Sequence, residues 1–206
     1  MGPDGRVAAS RAVTDLALGL GACELARRSA RPPAASGSWR AALWCTGASA
    51  LVGAVHHAAR TDDPRAAHIR WRIIGVLLSV AMGLMLIASV RQTLGRRAGR
   101  LAVAPAIVGP VAYAGSAVRG GGGLPTLVAV QSGTMAGIVL TWVVGVRRGH
   151  PAAPTAILAI CLGIGAAMLR AVTPRSWARF GVDADAVYHL AQIPGLVALA
   201  RAARTG

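Results

Sequence analysis

The stretch from Ile73 to Val90, IIGVLLSVAMGLMLIASV, decides the fold of this sequence because it contains no charged residue. An α-helix rises 1.5 Å per residue and the apolar core of a bilayer is about 30 Å thick, so roughly 20 apolar residues cross it. Arg72 and Arg91 flank the stretch, at positions from which arginine side chains reach lipid headgroups. We therefore predict a transmembrane helix over about 71–91.

Six further apolar blocks share this pattern. Of the 206 residues 54% are hydrophobic, the mean hydropathy is +0.54, and short arginine-bearing segments separate the blocks. The pattern predicts an all-α, polytopic integral membrane protein: a seven-transmembrane-helix bundle that forms a single domain over residues 1–206. The other six helices are expected at about 12–29, 39–57, 101–118, 125–146, 152–170 and 184–202.

Proline marks the breaks in this pattern. Pro32 and Pro33 predict a turn between the first two helices, because proline cannot continue a helix. A polar loop is expected over 60–70. Pro105 and Pro110 fall inside the fourth predicted helix and predict a kink there.

The charge of the chain points to the membrane as its partner. The net charge is +15, from 22 basic and 7 acidic residues. The arginines stand at the ends of apolar blocks, where they contact headgroups and anionic lipid. Few aromatic residues are available to stack on bases, and no nucleic-acid-binding motif is present, so we expect membrane lipids and no nucleic acid as partners. The expected location is the cell membrane.

Ionisable residues within or beside transmembrane helices are costly and tend to mark function. Asp15 starts the first predicted helix, His56 and His57 end the second, and Asp185 and His189 start the seventh. Because successive helices alternate in direction, the start of an odd helix and the end of an even one lie on the same side. All five residues are therefore predicted to meet at one face of the membrane.

Asp185 and His189 are four residues apart, which puts them on one side of a helix, where an acid and an imidazole can bind one cation. A histidine from the second helix, His56 or His57, completes three protein ligands. Three ligands with an open fourth position are the pattern of a catalytic zinc site, which activates water. The plainer alternative is a set of interfacial histidines and a helix-start aspartate.

Two segments resemble the second and last helices of the CREST superfamily, which contains alkaline ceramidases and progestin/adiponectin-receptor proteins. They are 39–58, WRAALWCTGASALVGAVHHA, and 183–201, DADAVYHLAQIPGLVALAR. The closer likeness is to a bacterial branch with a first-helix Thr-Asp, a second-helix histidine and a final Asp-x-x-x-Tyr/Phe-His. Thr14-Asp15, His57 and the stretch from Asp185 to His189 stand at the matching places.

This resemblance implies zinc as a cofactor. In the superfamily one histidine at the end of helix 2 and two in helix 7 bind the metal. By position His57, or its neighbour His56, matches the first, His189 matches the last, and Asp185 replaces the remaining one. A carboxylate is an acceptable zinc ligand. Asp15 is the expected catalytic residue, which orients an imidazole or transfers a proton; the alternative is that it caps the first helix.

The resemblance also has gaps. The superfamily's serine four residues before the helix-2 histidine is Gly53 here, or Val52 if His56 is the ligand, and the third helix has no aspartate. Two functions follow as expectations. The first is a zinc-dependent intramembrane hydrolase of a lipid amide or ester, similar to a ceramidase. The alternative is a non-enzymatic multi-pass protein: a lipid sensor, a partner-binding protein or a small carrier.

Overall fold

The computed structural model describes residues 3–30, 36–59 and 63–205. The regular structure of these ranges is entirely helical, which confirms the all-α prediction. The predicted turn at Pro32-Pro33 and residues 60–62 of the predicted polar loop lie outside the described residues. The described helices are α1 (Pro3–Arg28), α2 (Gly37–Ala58), α3 (Pro64–Leu94), α4 (Arg96–Leu101), α5 (Val103–Val118), α6 (Leu124–Arg147), α7 (Ala153–Val172) and α8 (Ala184–Ala202).

The fourth predicted helix, about 101–118, is divided into two, so that the described part of the chain holds eight α-helices where seven were predicted. The interruption falls at Ala102, between α4 and α5. Pro105 explains it, because proline has no N–H to donate to the carbonyl of Leu101 and its ring clashes with that carbonyl. Pro110 lies inside α5 without ending it.

Other helix limits differ from the prediction because apolar residues mark a membrane span and not the ends of its helix. α3 starts at Pro64, several residues before the predicted start, since the Asp63 side chain caps it by accepting from the N–H of Arg65 at 2.8 Å. α1 begins at Pro3 instead of near residue 12, with Asp4 in its first turn. The limits of α8 agree with the predicted 184–202.

Within the described residues, four helical segments are long and apolar enough to cross a membrane: Pro64–Leu94, Arg96–Val118, Leu124–Arg147 and Ala153–Val172. These include α3, which contains the uncharged stretch 73–90. The chain therefore has the helices of a multi-pass membrane protein.

The helices pack as a ring, with neighbouring pairs α1–α2, α2–α3, α3–α6, α6–α7, α7–α8 and α8–α1. α5 lies outside this ring, against α3 and α6. A 3₁₀ turn at Arg175–Phe180, between α7 and α8, packs against α1. This order brings α1, α2 and α8 together, so that residues far apart in sequence meet between them.

Small side chains allow this close packing. Many of the fully buried positions are alanines, and Trp39, Trp142 and Tyr113 are the largest buried side chains. The indole Nε1 of Trp39, on α2, donates to Oε1 of Gln92, on α3, at 2.8 Å. The Nε2 of Gln92 donates in turn to the carbonyl of Ala202, the last residue of α8, at 2.9 Å. One glutamine thus joins three helices.

Replacing this glutamine with an apolar residue of similar size is expected to destabilise the bundle. Gln92→Leu leaves the indole N–H of Trp39 and the carbonyl of Ala202 unpaired, which should cost about 1–3 kcal/mol. The measurement is the thermal unfolding midpoint in detergent. Gln131→Leu on α6 is the matched control, since the partly buried Gln131 makes no side-chain hydrogen bond among the described residues. An equal midpoint in both variants would contradict the bridging role.

Candidate functional site

A buried carboxylate from α1 stands between two imidazoles from other helices. The side chain of Asp15 is 6% exposed. Its Oδ1 lies 3.1 Å from Nδ1 of His189 on α8, and its Oδ2 lies 3.6 Å from Nε2 of His57 on α2. The structure thus brings together three of the five residues that the sequence predicted to meet at one face.

Neither contact is a hydrogen bond. The separation from His57 is too long for one, and Nδ1 of His189 is buried without a hydrogen-bond partner despite its short distance to Asp15. A buried polar atom without a partner calls for an explanation, such as a bound ion or a catalytic role. The polar atoms of these three side chains are therefore largely shielded from solvent and are not hydrogen-bonded to each other.

Gly53 makes the approach of Asp15 to α2 possible. A Cβ atom at this position would lie 2.7 Å from Oδ2 of Asp15, closer than such contacts occur. A serine at this position would have its Cβ in that same space. The glycine is therefore explained by the packing of α1 on α2.

His56 and His57 take different directions, as expected of adjacent helical residues, which lie about 100° apart. His57 faces Asp15, whereas the ring of His56 is tilted against the indole of Trp71, with 6.4 Å between centroids. The two imidazoles also meet edge to face at 5.2 Å. Of the two candidate ligands in α2, His57 is the one that joins the cluster.

Asp185 faces two arginines. Its Oδ1 accepts from Nε of Arg170 on α7 at 2.7 Å, and its Oδ2 lies 3.1 Å from a guanidinium nitrogen of Arg11 on α1. Arg170 also lies over the ring of Tyr188, 5.9 Å from its centroid. Both oxygens of the predicted metal ligand are thus engaged by cations.

Asp183, which was not predicted as a site residue, completes this charged cluster. Its Oδ2 accepts from Nε of Arg11 at 2.6 Å and from a second guanidinium nitrogen, and its Oδ1 accepts from the N–H of Ala186, which caps α8. Burial would raise the pKa of Asp183, but these bonds outweigh burial and hold it below its ordinary value.

From the sequence, Arg11 and Arg170 were expected only to contact lipid headgroups, like the other arginines at the ends of apolar blocks. Asp183 could have been predicted as a helix N-cap, because it lies three residues before Ala186, whose N–H its side chain accepts from. Nothing in the sequence pairs Arg11 with residues more than 170 positions away.

Two depressions adjoin the cluster. A cleft of about 300 Å³ exposes His57 beside Arg11 and Asp183, with Asp4, Val7, Ala8 and Ala178 completing its walls. A mostly apolar groove of about 200 Å³ follows the seam between α1 and α8, from Leu18 and Ile193, about one turn from Asp15 and His189, to Arg28. The site therefore has a polar cleft at His57, and an apolar groove ends about one helical turn from it.

The residues that could hold a metal follow from this geometry. Within 3–30, 36–59 and 63–205, no three His, Cys, Asp or Glu side chains form a ready metal-binding group. His57 and His189 each approach a different oxygen of Asp15, and Asp185 is turned to the arginines. The donor set closest to a metal site is therefore His57, His189 and Asp15.

We expect Gly53→Ala to destabilise the protein by about 1–3 kcal/mol, because the added methyl group pushes Asp15 and α1 away from α2. The thermal unfolding midpoint in detergent measures this. Gly21→Ala on α1 is the matched control, since a Cβ there meets nothing within 4 Å and alanine favours a helix. If both variants unfold at the same temperature, the close approach at Gly53 carries no such constraint.

Acid is expected to weaken the link between α1 and α8. Because the pKa of Asp183 is depressed in the folded state, its contribution to stability is present above about pH 4 and is lost as the pH falls towards the folded value. Between pH 5 and pH 3 the unfolding midpoint should fall more in the wild type than in Asp183→Asn, which still caps α8. Parallel curves for the two proteins would rule out this contribution.

The comparisons with known proteins bear on the family alone. Neither a curated protein nor a solved structure matches the chain significantly. A family of unknown function, DUF6962, matches residues 10–206, a range that includes Arg11, Asp15, His57 and His189. The chain belongs to this family, DUF6962.

Proposed function

We propose that α1, α2 and α8 cross the membrane as well, so that the protein is a seven-span domain of the cell membrane. Support comes from the outer faces of these helices, which carry exposed apolar side chains: Val13 is 64% exposed on α1, Val55 57% on α2 and Leu190 49% on α8. Apolar residues that point away from a bundle are expected where lipid surrounds it. The three helices have 26, 22 and 19 residues, close to the roughly 20 that a span needs.

We further propose that this protein is a metal-dependent hydrolase of a lipid amide or ester. The observation that carries the proposal is the carboxylate of Asp15 held between the imidazoles of His57 and His189 inside the bundle. Buried ionisable residues in a membrane protein have a functional role by default. The resemblance to the CREST superfamily adds the expectation that the activity is similar to that of a ceramidase.

The donor chemistry of these three residues suits zinc, which binds imidazole nitrogen and carboxylate oxygen. His57 and His189 present their nitrogens 3.6 and 3.1 Å from the two oxygens of Asp15, so the three side chains would offer two imidazoles and one carboxylate to an ion. The unpartnered Nδ1 of His189 is a nitrogen that a metal would satisfy. His57, His189 and Asp15 are thus the proposed ligands, with Asp15 in the role that was predicted for Asp185.

When bound, zinc would polarise the substrate carbonyl and lower the pKa of a water enough to make hydroxide available near neutral pH. The other groups of the chain orient the substrate and the helices. Arg11 and Arg170 neutralise Asp185, which keeps the start of α8 against α1 and α7. The seam groove between α1 and α8 offers an apolar chain a place that ends near Asp15, and this supports a lipid substrate.

We predict about one zinc ion per purified chain, and loss of that zinc in His189→Ala and in Asp15→Asn, as measured by elemental mass spectrometry. His68→Ala is the matched control, because the exposed His68 lies at the start of α3 and should leave the metal content unchanged. Asp185→Asn should also retain zinc, since its oxygens already face arginines.

Each result has a separate meaning. Zinc that is lost in Asp185→Asn but kept in Asp15→Asn would replace the proposed ligand set by the one that the sequence suggested. A metal-free wild type would overturn the metal-dependent mechanism. If zinc is bound but no acyl-chain release from ceramides, glycerolipids or other acyl lipids is detected, the metal site stands and the hydrolase fails.

A non-enzymatic multi-pass protein is the second candidate, and a specific observation favours it. Asp185 is occupied by Arg11 and Arg170, and no ready metal group occurs in the described part of the chain. In a sensor or partner-binding protein these ion pairs would serve to hold α1, α7 and α8 together. A chain that binds no metal and whose unfolding midpoint does not respond to chelators would support this candidate over the hydrolase.

A further inference from the structure

The two faces of the bundle differ strongly in charge. Among the described residues, the site face, where α1 and α8 begin, has nine arginines and five acidic residues; the opposite face has eleven arginines and Glu24. The net charges of these residues are +4 and +10. The face away from the site is therefore the strongly basic one.

Six arginines of the basic face lie at the ends of three helices that the fold brings together. The chain turns at Gly95, whose φ of 90° is in the left-handed region, and α4 folds back onto α3. Gly99 allows this contact, because a Cβ there would lie 2.7 Å from the Cβ of Arg91. The end of α6 meets the end of α3 where a Cβ on Gly145 would lie 3.1 Å from Thr93. The resulting arginine patch consists of Arg91, Arg96, Arg97, Arg100, Arg147 and Arg148.

Acidic side chains of the described residues do not neutralise this patch. All six arginines are exposed, and none of them takes part in an ion pair or side-chain hydrogen bond within the described ranges. Glu24, the acid of the basic face, accepts from Arg27 and Arg28 of its own helix at 2.6–2.8 Å. Six like charges close together repel each other, so the patch favours an anionic partner.

Apolar side chains identify the source of that charge. Leu94, Leu101 and Val146 stand among the arginines and are 37%, 74% and 53% exposed. Arginine mixed with exposed apolar residues at the ends of membrane helices is the pattern of the headgroup region, where the guanidinium contacts phosphate and the apolar groups contact acyl chains. A soluble anion would use the charges and leave these three side chains in water.

We propose that the arginine patch binds the headgroups of anionic phospholipids. Guanidinium groups suit this task because they bind phosphate oxygens with two parallel hydrogen bonds. The site is distinct from the Asp15 cluster, since it lies at the opposite ends of the helices. Its lipid is bound as a resident partner and is not a substrate.

The test is a titration of the full chain in detergent with phosphatidylglycerol, followed by the unfolding midpoint and by bound lipid in native mass spectrometry. The first variant is Arg96→Gln/Arg97→Gln/Arg100→Gln. The matched control is Arg65→Gln/Arg119→Gln/Arg175→Gln, which removes the same charge from exposed arginines of the site face. Phosphatidylcholine and inorganic phosphate are the comparison ligands.

We expect the patch variant to bind phosphatidylglycerol on the order of a hundredfold more weakly, and the control to stay within about threefold of the wild type. High salt should weaken binding by the wild type. Equal affinity in the patch variant and the wild type would overturn the proposal. An equal loss of phosphatidylglycerol affinity in the control variant would show that binding does not depend on the arginine patch. Equal stabilisation by phosphatidylcholine would show that binding does not depend on an anionic headgroup. Stabilisation by inorganic phosphate alone would identify a soluble anion as the ligand.

Discussion

A carboxylate buried in a helix bundle loses its hydration, and neighbouring groups have to replace it. For Asp15 this requirement constrains the packing of the whole molecule. An ion that leaves water loses several kcal/mol of solvation unless groups around it restore the interaction. The groups near Asp15 come from α2 and α8, as His57 and His189. Three helices must therefore close around one side chain, and their packing sets the positions of the others.

Small residues make that closure possible. Gly53 lets α2 reach the carboxylate, and Gly47, nearly two turns earlier in α2, allows the close approach of Cys23 and the backbone of α1. Close backbone approach between two helices supplies packing energy. Glycine lowers the helix propensity of a sequence. In this bundle, however, Gly47 and Gly53 allow α1 and α2 to pack closely.

The sequence predicts most of the helices but only part of the site. The apolar stretch of α3 and the limits of α8 follow from composition and helix signals, whereas the start of α3 depends on a cap at Asp63 outside the apolar region. Alternation of helix direction places the ionisable residues on one face. It does not say how each helix is rotated, and rotation decides that Asp185 meets arginines while Asp15 meets His57 and His189.

The ring order of the helices has a consequence for biosynthesis. His189 belongs to α8 and Asp15 to α1, and six other α-helices lie between them along the described chain. α1 is therefore synthesised with a carboxylate whose second imidazole has not yet been made. Until α8 joins the bundle, Asp15 and Arg11 lack their partners from that helix. The arrival of α8 closes the ring, so completion of the site and completion of the fold are one event.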